Sequence, residues 1–228
     1  MAATTETTGP APEARGIGLV PVLLLLTVVS GLIDAVSYLG LGHVFTANMT
    51  GNVVVLGFAM AGTPGFSVAH TATSLACFLV GAYAGGRVAT WFKGRSRRTW
   101  ARATLGVEAV LVGVAAAVAF AEPHADATTY ALIGLTALAM GIRNATVRKL
   151  GVPSLTTTTV LTTTMTGLVS DDPHGEGRHF LRRAGAVVAL LIGATAGGLL
   201  LRHQGLGLPL LIAAVTSAVL ALLTSGQD

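Results

Sequence analysis

Residues 31–57 carry the sequence GLIDAVSYLGLGHVFTANMTGNVVVLG, in which a single acidic residue, Asp34, interrupts a long apolar run. An ionised carboxylate near the centre of a bilayer costs about 2.5 to 3.5 kcal/mol on insertion scales, so such a residue rarely faces lipid. Asp34 shares one helical face with other small or polar residues, spaced three and four apart: Thr27, Ser30, Gly31, Ser37 and Tyr38. The pattern predicts a spanning helix whose polar face looks into a bundle or a wet cavity.

The composition of the whole chain agrees with a lipid environment. Of its 228 residues, 52% are hydrophobic and only 11% are charged, and the mean hydropathy is +0.72. Soluble domains carry about a quarter charged residues. Because a helix needs about 20 apolar residues to cross a bilayer, the chain has room for about six to eight spans. We therefore predict an all-α polytopic membrane protein without a soluble domain.

Eight apolar segments are candidates for spans, and two of them are short and polar. One contains Thr46, Asn48, Thr50 and Asn52, and the other is rich in threonine between Thr156 and Thr166. We expect these two to be re-entrant or broken helices. The eight segments, of which these are the second and sixth, are residues 17–41, 44–61, 66–92, 103–121, 129–147, 154–170, 181–201 and 206–224.

The basic residues occupy the short connections between apolar segments, as the positive-inside rule predicts. The formal net charge of +4 is therefore interpreted as a topology signal, and no nucleic-acid partner is expected. If the two polar segments do not cross, all basic residues outside the membrane interior except Arg202 fall on the cytoplasmic side. This favours six transmembrane helices with both termini cytoplasmic. Residues 1–16 are expected to form a disordered cytoplasmic tail, and residues 17–228 a single membrane domain.

The chain also repeats short motifs in the same order and at nearly equal offsets, which predicts an internal duplication. Repeat one would cover about 17–121 and repeat two about 129–225, each with three spans and one short polar segment. An odd number of crossings would invert the second half relative to the first, as in many secondary transporters. If the polar segments cross, the halves are parallel instead. The matched motifs are residues 31–35 with 141–145, 49–51 with 165–167, and 81–86 with 193–198.

Three charged residues inside the spans are candidates for function. Asp34 is interpreted as a proton or cation site or a substrate partner, or else as a structural hydrogen-bonding residue. Arg143 precedes Asn144, the repeat counterpart of Asp34; it either extends to the interface or pairs with Asp34. Glu108 lies about five residues inside its predicted span, where contact with headgroup water is favoured over a role in a site.

A second group of candidates surrounds the Asn48-Met49-Thr50-Gly51-Asn52 run. Amides, a hydroxyl and exposed backbone at a helix break can coordinate ions or polar substrates in membranes. Alternatively, these groups satisfy one another at a tight helix crossing. The substrate- or ion-binding hypothesis covers these residues and their repeat counterparts: Asp34, Asn48, Thr50, Gly51, Asn52, Arg143, Asn144, Thr166 and Gly167.

No catalytic motif stands out in the sequence. Zinc-binding, nucleophile-elbow and phosphate-loop patterns are missing, the six histidines have no ligand spacing, and Cys77 is expected to be a packed thiol. We expect neither enzyme activity, nor a metal, nor a cofactor. The expected partners are the lipid bilayer, a small polar solute or ion, and a second copy of the chain in a homo-oligomer.

Residues 31–57, together with residues 141–145 and 165–167, resemble the YoaK-like family of small bacterial membrane proteins, a domain of unknown function. The resemblance implies a bacterial cytoplasmic-membrane location and about six helices, with no established substrate. Where members often have Gln-Asn-Ala, this chain has Arg143-Asn144-Ala145, so a role for Arg143 is less transferable.

Our leading functional hypothesis is a secondary transporter or small channel. The rival is a structural or regulatory membrane protein that binds a partner subunit or lipid. A lipid-modifying enzyme is a third alternative.

Overall fold

The computed structural model describes residues 19–91, 97–123, 125–150, 166 and 177–224, which contain seven α-helices and confirm the predicted all-α class. The predicted tail 1–16 and nearly all of the predicted polar segment 154–170 lie outside these residues. The helices are α1 Leu19–Gly40, α2 Met49–Met60, α3 Val68–Trp91, α4 Arg97–Ala121, α5 Asp126–Leu150, α6 Gly177–Gln204 and α7 Gly207–Leu223.

Five of the described helices, α1, α3, α4, α5 and α6, are long and apolar enough to cross a membrane. Helices α2 and α7 are also apolar but shorter, with 12 and 17 residues. Large apolar side chains cover the outer surface of the bundle, among them Leu79, Val110, Leu191 and Leu222. An exposed apolar surface of this extent suits lipid as the surrounding solvent, so the chain is a polytopic membrane protein.

Several helices extend beyond the predicted spans. Helix α4 begins at Arg97 and not at residue 103, and α5 and α6 each gain residues at both ends. Charged side chains can occupy such extensions because they reach headgroup water outside the hydrocarbon core. The segment 44–61, expected to be a re-entrant or broken helix, is helical only over Met49–Met60. Asn48 is the capping residue of α2, because its Oδ1 accepts a hydrogen bond from Gly51 N at 3.2 Å.

Glycines bring two pairs of helices into backbone contact. On α1, a Cβ at Gly31 would overlap the backbone carbonyl of Leu190 in α6, and one at Gly193 would overlap that of Val28. Leu24 lies against Gly185, Leu32 against Gly197, and Gly40 against Leu201, so the residue numbers rise together and α1 and α6 run in the same direction. Small residues allow this close approach between membrane helices.

The second such pair is formed by α3 and α5. A Cβ at Gly141 would overlap the carbonyl of Phe78, and one at Gly81 would overlap that of Leu138. A Cβ at Gly85 would lie 3.1 Å from the Cα of Ile142, and a Cβ at Gly197 would lie 3.0 Å from the Cα of Leu32. The glycines in the α1–α6 contact are the sequence counterparts of those in the α3–α5 contact: Gly31 matches Gly141, Gly193 matches Gly81, and Gly197 matches Gly85.

The remaining helices cross at the centre of the bundle. Helix α4 runs antiparallel to α7, because Phe120 lies against Gly207 while Glu108 lies against Ser217. It also runs antiparallel to α5, because Thr104 contacts Thr146 while Glu108 contacts Arg143. The largest buried apolar cluster joins α1, α4, α5 and α7, with Ile33, Val112, Ile133, Met140 and Leu210 among its members. Several polar side chains on these four helices are buried as well, among them Ser30, Glu108, Arg143 and Ser217.

Candidate functional site

The chain turns back into the bundle after α1. Gly42 and His43 have positive φ values of 85° and 60°, which reverses the chain direction. Asp34 Oδ1 then accepts hydrogen bonds from Thr46 N at 2.9 Å and Ala47 N at 2.7 Å. Because Asp34 lies six residues before the end of α1, this loop descends about 9 Å along the helix. We call residues 41–48 the polar loop.

Asn52 holds the polar loop against α3. Its Nδ2 donates to Phe45 O at 2.6 Å and to Ser74 Oγ at 3.1 Å, and its Oδ1 accepts from Phe45 N at 2.8 Å. Ser74 Oγ also donates to Phe45 O at 2.6 Å. Asn52 is fully buried, so its amide is committed to the backbone of the loop.

The remaining members of the predicted run lie at the start of α2. Asn48 Oδ1 accepts from Thr50 Oγ1 at 2.9 Å in addition to its capping bond, and Thr50 is exposed. Gly51 lies under the ring of Phe45, where a Cβ would come within 2.9 Å. The structure thus brings Asp34, Asn48, Thr50, Gly51 and Asn52 together around one loop.

The polar loop also contains a buried polar atom without a partner. Thr46 is fully buried, and its Oγ1 has no hydrogen-bond partner among the described residues. A buried hydroxyl in this state is costly unless it meets a polar group. Thr46 Oγ1 therefore leaves an unmet hydrogen bond in the loop that contacts Asp34.

A buried ion pair lies deeper in the bundle. Arg143 Nη1 on α5 donates to Glu108 Oε1 on α4 at 2.9 Å, and each residue is 1% exposed. Ser217 Oγ on α7 donates to the same Oε1 at 2.9 Å, and Arg143 Nη2 donates to Ser30 Oγ on α1. Four helices contribute to this cluster, which we call the central cluster: Ser30, Glu108, Arg143 and Ser217.

The central cluster corrects three expectations from the sequence. Arg143 is fully buried and does not extend to the interface, and its ion-pair partner is Glu108 and not Asp34. Glu108 does not contact headgroup water. Because α4 begins at Arg97, Glu108 lies eleven residues, or about 16 Å, from the start of the helix.

A small cavity adjoins the central cluster on the side away from the polar loop. Its volume is about 30 Å³, and Arg143 forms part of its wall together with Thr104, Thr146 and Thr224. It lies toward the end of the bundle at which α1 and α4 begin and α5 and α7 finish. The surface that lines the cavity is apolar. The polar groups that extend from the polar loop through the central cluster therefore end at its wall.

The repeat counterparts are only partly described. Asn144 follows Arg143 on α5 and is half-buried, and Thr166 is exposed; both have polar or electrostatic contacts. Gly167 lies outside the described residues. Within the described part of the chain, no cluster of three or more His, Cys, Asp or Glu side chains could hold a metal ion.

Sequence reasoning missed Glu108 and Ser217 as members of a buried cluster. Ser30 was on the predicted polar face of Asp34, but its contact with Arg143 was not expected. Glu108 could have been weighed more heavily as the only acidic residue of α4. Ser217 gave little signal, because a lone serine is common in apolar helices.

Apolar helices, a lipid-facing surface and a buried polar centre define a polytopic α-helical membrane protein. A family model described as "Protein of unknown function (DUF1275)" matches residues 22–223. The chain belongs to this family, and the predicted YoaK-like membership is confirmed.

The chain is 36% identical over 165 residues to the "UPF0700 transmembrane protein YoaK" of Bacillus subtilis (strain 168), which covers 71% of this chain and 69% of that protein. No solved structure matches the chain significantly.

Proposed function

We propose that the protein is a secondary transporter or small channel for a small polar solute or ion, located in the bacterial cytoplasmic membrane. The observation that carries this proposal is a buried carboxylate, Asp34 of α1, which accepts hydrogen bonds from the polar loop inside an apolar bundle. Ionisable residues inside membrane helices commonly mark substrate or ion pathways. We further propose that the protein acts without catalysis and without a cofactor.

The proposal includes six membrane crossings, with both termini cytoplasmic and the α2 segment re-entrant. Two contacts support a re-entrant α2. The polar loop reaches the level of Asp34, and the turn after α2 returns to the end of α1, where His43 Nδ1 lies 2.9 Å from Gly65 O. The chain therefore enters and leaves at the same end of the bundle. The six crossing helices are α1, α3, α4, α5, α6 and α7.

The proposal also includes an inverted duplication. The equivalent contacts of α1 with α6 and of α5 with α3 support it, because they involve the same matched glycines. Direction supports it as well. Helix α1 is antiparallel to α7, since Gly40 lies against Leu206; α7 is antiparallel to α4, and α4 to α5. Helices α1 and α5, which begin the two halves, accordingly run in opposite directions.

Cysteine accessibility in intact cells tests this topology. With Cys77 replaced, single cysteines are placed at Thr63, Ala125, Ser170 and Ser225. We expect an impermeant maleimide to label the variants at Thr63 and Ala125 from outside, while the other two react only after the cells are permeabilised. External labelling at Ser170 and Ser225 would mean that the polar segments cross and that the halves are parallel.

The ligand is proposed to enter past the polar loop and to meet Asp34 and Thr46 Oγ1. Asn48, Thr50, Gly51 and Asn52 shape this entrance, with Asn144, Thr166 and Gly167 as their proposed counterparts from the second half. Beyond Asp34, Ser30 and Arg143 extend the row of polar groups deeper into the bundle. This continuity favours passage across the bundle over a closed surface site.

Flux into liposomes tests the function. Proteoliposomes are exposed to gradients of potassium chloride, sodium acetate, glycine and glycerol, and followed by light scattering and by a trapped pH dye. We expect flux of at least one of these probes to exceed that of empty liposomes. Asp34→Asn should lower this flux at least tenfold, because it removes the buried titratable carboxyl group but keeps the shape. Asp126→Asn, the same change at an exposed position in the first turn of α5, serves as the control and should leave most of the flux.

A structural or regulatory role remains the second candidate. It is favoured by the hydrogen bonds of Asn52, because this amide is used to hold the polar loop against α3. In this case Asp34→Asn leaves flux unchanged or no flux exists, and purification in mild detergent recovers a partner subunit or lipid at fixed stoichiometry. A homo-oligomer would be compatible with either function.

A further inference from the structure

Three charged side chains lie in the interior of the bundle: Asp34 on α1, Glu108 on α4 and Arg143 on α5. Helix α7, the fourth helix around them, carries no charged residue. With all three ionised, two carboxylates face one guanidinium, and the group carries one net negative charge. We call these three residues the charged triad.

The burial of the charged triad makes that net charge costly. Glu108 and Arg143 are each 1% exposed, and Asp34 is 8% exposed. An uncompensated charge in a low-dielectric interior is usually removed by neutralisation. One bound proton on either carboxylate would make the triad neutral.

Each carboxylate has hydrogen-bond donors that do not depend on Arg143. Asp34 Oδ1 accepts from two amides of the polar loop, and Glu108 Oε1 accepts from Ser217 Oγ. Either carboxyl group can therefore remain in place while Arg143 pairs with the other.

The position of Arg143 allows such an exchange. Its Nη2 donates to Ser30 Oγ, and Ser30 lies one turn from Asp34 on the same face of α1. Arg143 Nε and Glu108 Oε2 have no partner among the described residues, so the present pair leaves one donor and one acceptor unused.

We propose that Asp34 and Glu108 hold one exchangeable proton between them, and that Arg143 pairs with whichever carboxylate lacks it. In the arrangement described, Glu108 is the ionised partner of Arg143 and Asp34 carries the proton. When Asp34 releases its proton and Glu108 gains one, the O–H bond on Asp34 breaks, one forms on Glu108 Oε2, and Arg143 moves to Asp34. The triad stays neutral in both arrangements.

The two carboxylates also differ in access. Asp34 lies under the polar loop, while the cavity wall formed by Arg143 lies toward the opposite end. Proton exchange at the two sites would then communicate with opposite sides of the membrane. This inference rests on the proposed transport function and names the proton as its coupling ion.

Other titratable groups near the triad lie toward the ends of the described helices. His43 and His70 flank the polar loop, and Arg102, Arg148 and Lys149 lie at the opposite end, where Lys149 Nζ donates to Gly86 O. None of these is a member of the central cluster. We therefore assign any pH-dependent change in the signal of buried carboxyl groups to Asp34 and Glu108.

Infrared spectroscopy of the purified protein, in a detergent without ester carbonyls, tests the proposal. At neutral pH we expect one buried carboxylic-acid C=O band in the wild type. Asp34→Asn should remove it, since Glu108 is then ionised beside Arg143. Glu108→Gln should also remove it, since Arg143 then pairs with ionised Asp34. Arg143→Gln should about double the band, and Arg143→Lys should retain one.

Glu108→Gln is the decisive variant. If its band keeps the wild-type intensity, the proton belongs to Asp34 alone and the sharing is overturned; a wild type without the band overturns it as well. Glu122→Gln, at an exposed end of α4, is the matched control and should leave the spectrum unchanged. If Arg143→Gln does not fold, the two carboxyl variants still decide the matter.

The spectra do not depend on flux, so the two proposals can fail separately. The expected bands without flux would contradict transport alone. Flux with an unchanged band in Glu108→Gln would contradict only the shared proton.

Discussion

We expect Gly193→Ala to destabilise the bundle by about 3 kcal/mol, at the upper end of the range for overpacked interiors. The added Cβ would overlap the backbone carbonyl of Val28, and a backbone cannot move aside as a side-chain rotamer can. Helices α1 and α6 would have to separate. In a chain of this size the change corresponds to a fall in melting temperature of about 6 to 12 °C, measured in detergent.

Gly198→Ala, on the same helix, is the matched control. The nearest atom to its Cβ position is a terminal methyl of Leu39 at 3.5 Å, which is ordinary contact. Alanine is also a better helix former than glycine, by up to about 1 kcal/mol. We expect the melting temperature to stay the same or to rise slightly. Equal losses in the two variants would contradict the backbone contact.

The second large effect is expected from Arg143→Met. Removing one partner of a buried ion pair leaves the other uncompensated and costs about 3 to 5 kcal/mol. Adding Glu108→Met to Arg143→Met should recover most of this loss, because the double variant replaces the pair with apolar side chains. The free energy of unfolding of both variants, measured by denaturation in mixed micelles, checks the prediction.

Arg148→Met is the control for the loss of one positive charge from α5. Arg148 is exposed near the end of α5, where a substitution should change stability by no more than about 0.5 kcal/mol. A double variant less stable than Arg143→Met alone would contradict this prediction, because it would mean that loss of Arg143 does not make the buried Glu108 destabilising.

The fold class and the polar loop could be predicted from local sequence. Apolar runs of spanning length predicted the helices, and the lone carboxylate in such a run predicted that Asp34 is buried. The Asn48–Asn52 region was correctly expected to lie beside a helix break. The break itself lies before Met49, because Asn48 is a capping residue, and a hydropathy pattern does not distinguish a capped loop from the start of a helix.

The ion pair could not be predicted in the same way. Arg143 and Glu108 lie 35 residues apart on different helices, and their pairing depends on the depth and rotation of each helix. An error of six residues at the start of α4 placed Glu108 near the interface. The start of α4 lies among charged residues, where hydropathy changes gradually and element ends are least certain.

The parallel contact between α1 and α6 has a consequence for biogenesis. Helix α1 leaves the ribosome before α6, and the glycine face that it packs against is made about 150 residues later. At about 5 to 20 residues per second, this delay lasts about 8 to 30 s. During that time α1 holds a carboxylate and an unpaired glycine surface in the membrane. Helices α1 and α6 thus belong to one folding unit, which is complete only after α6 has been inserted.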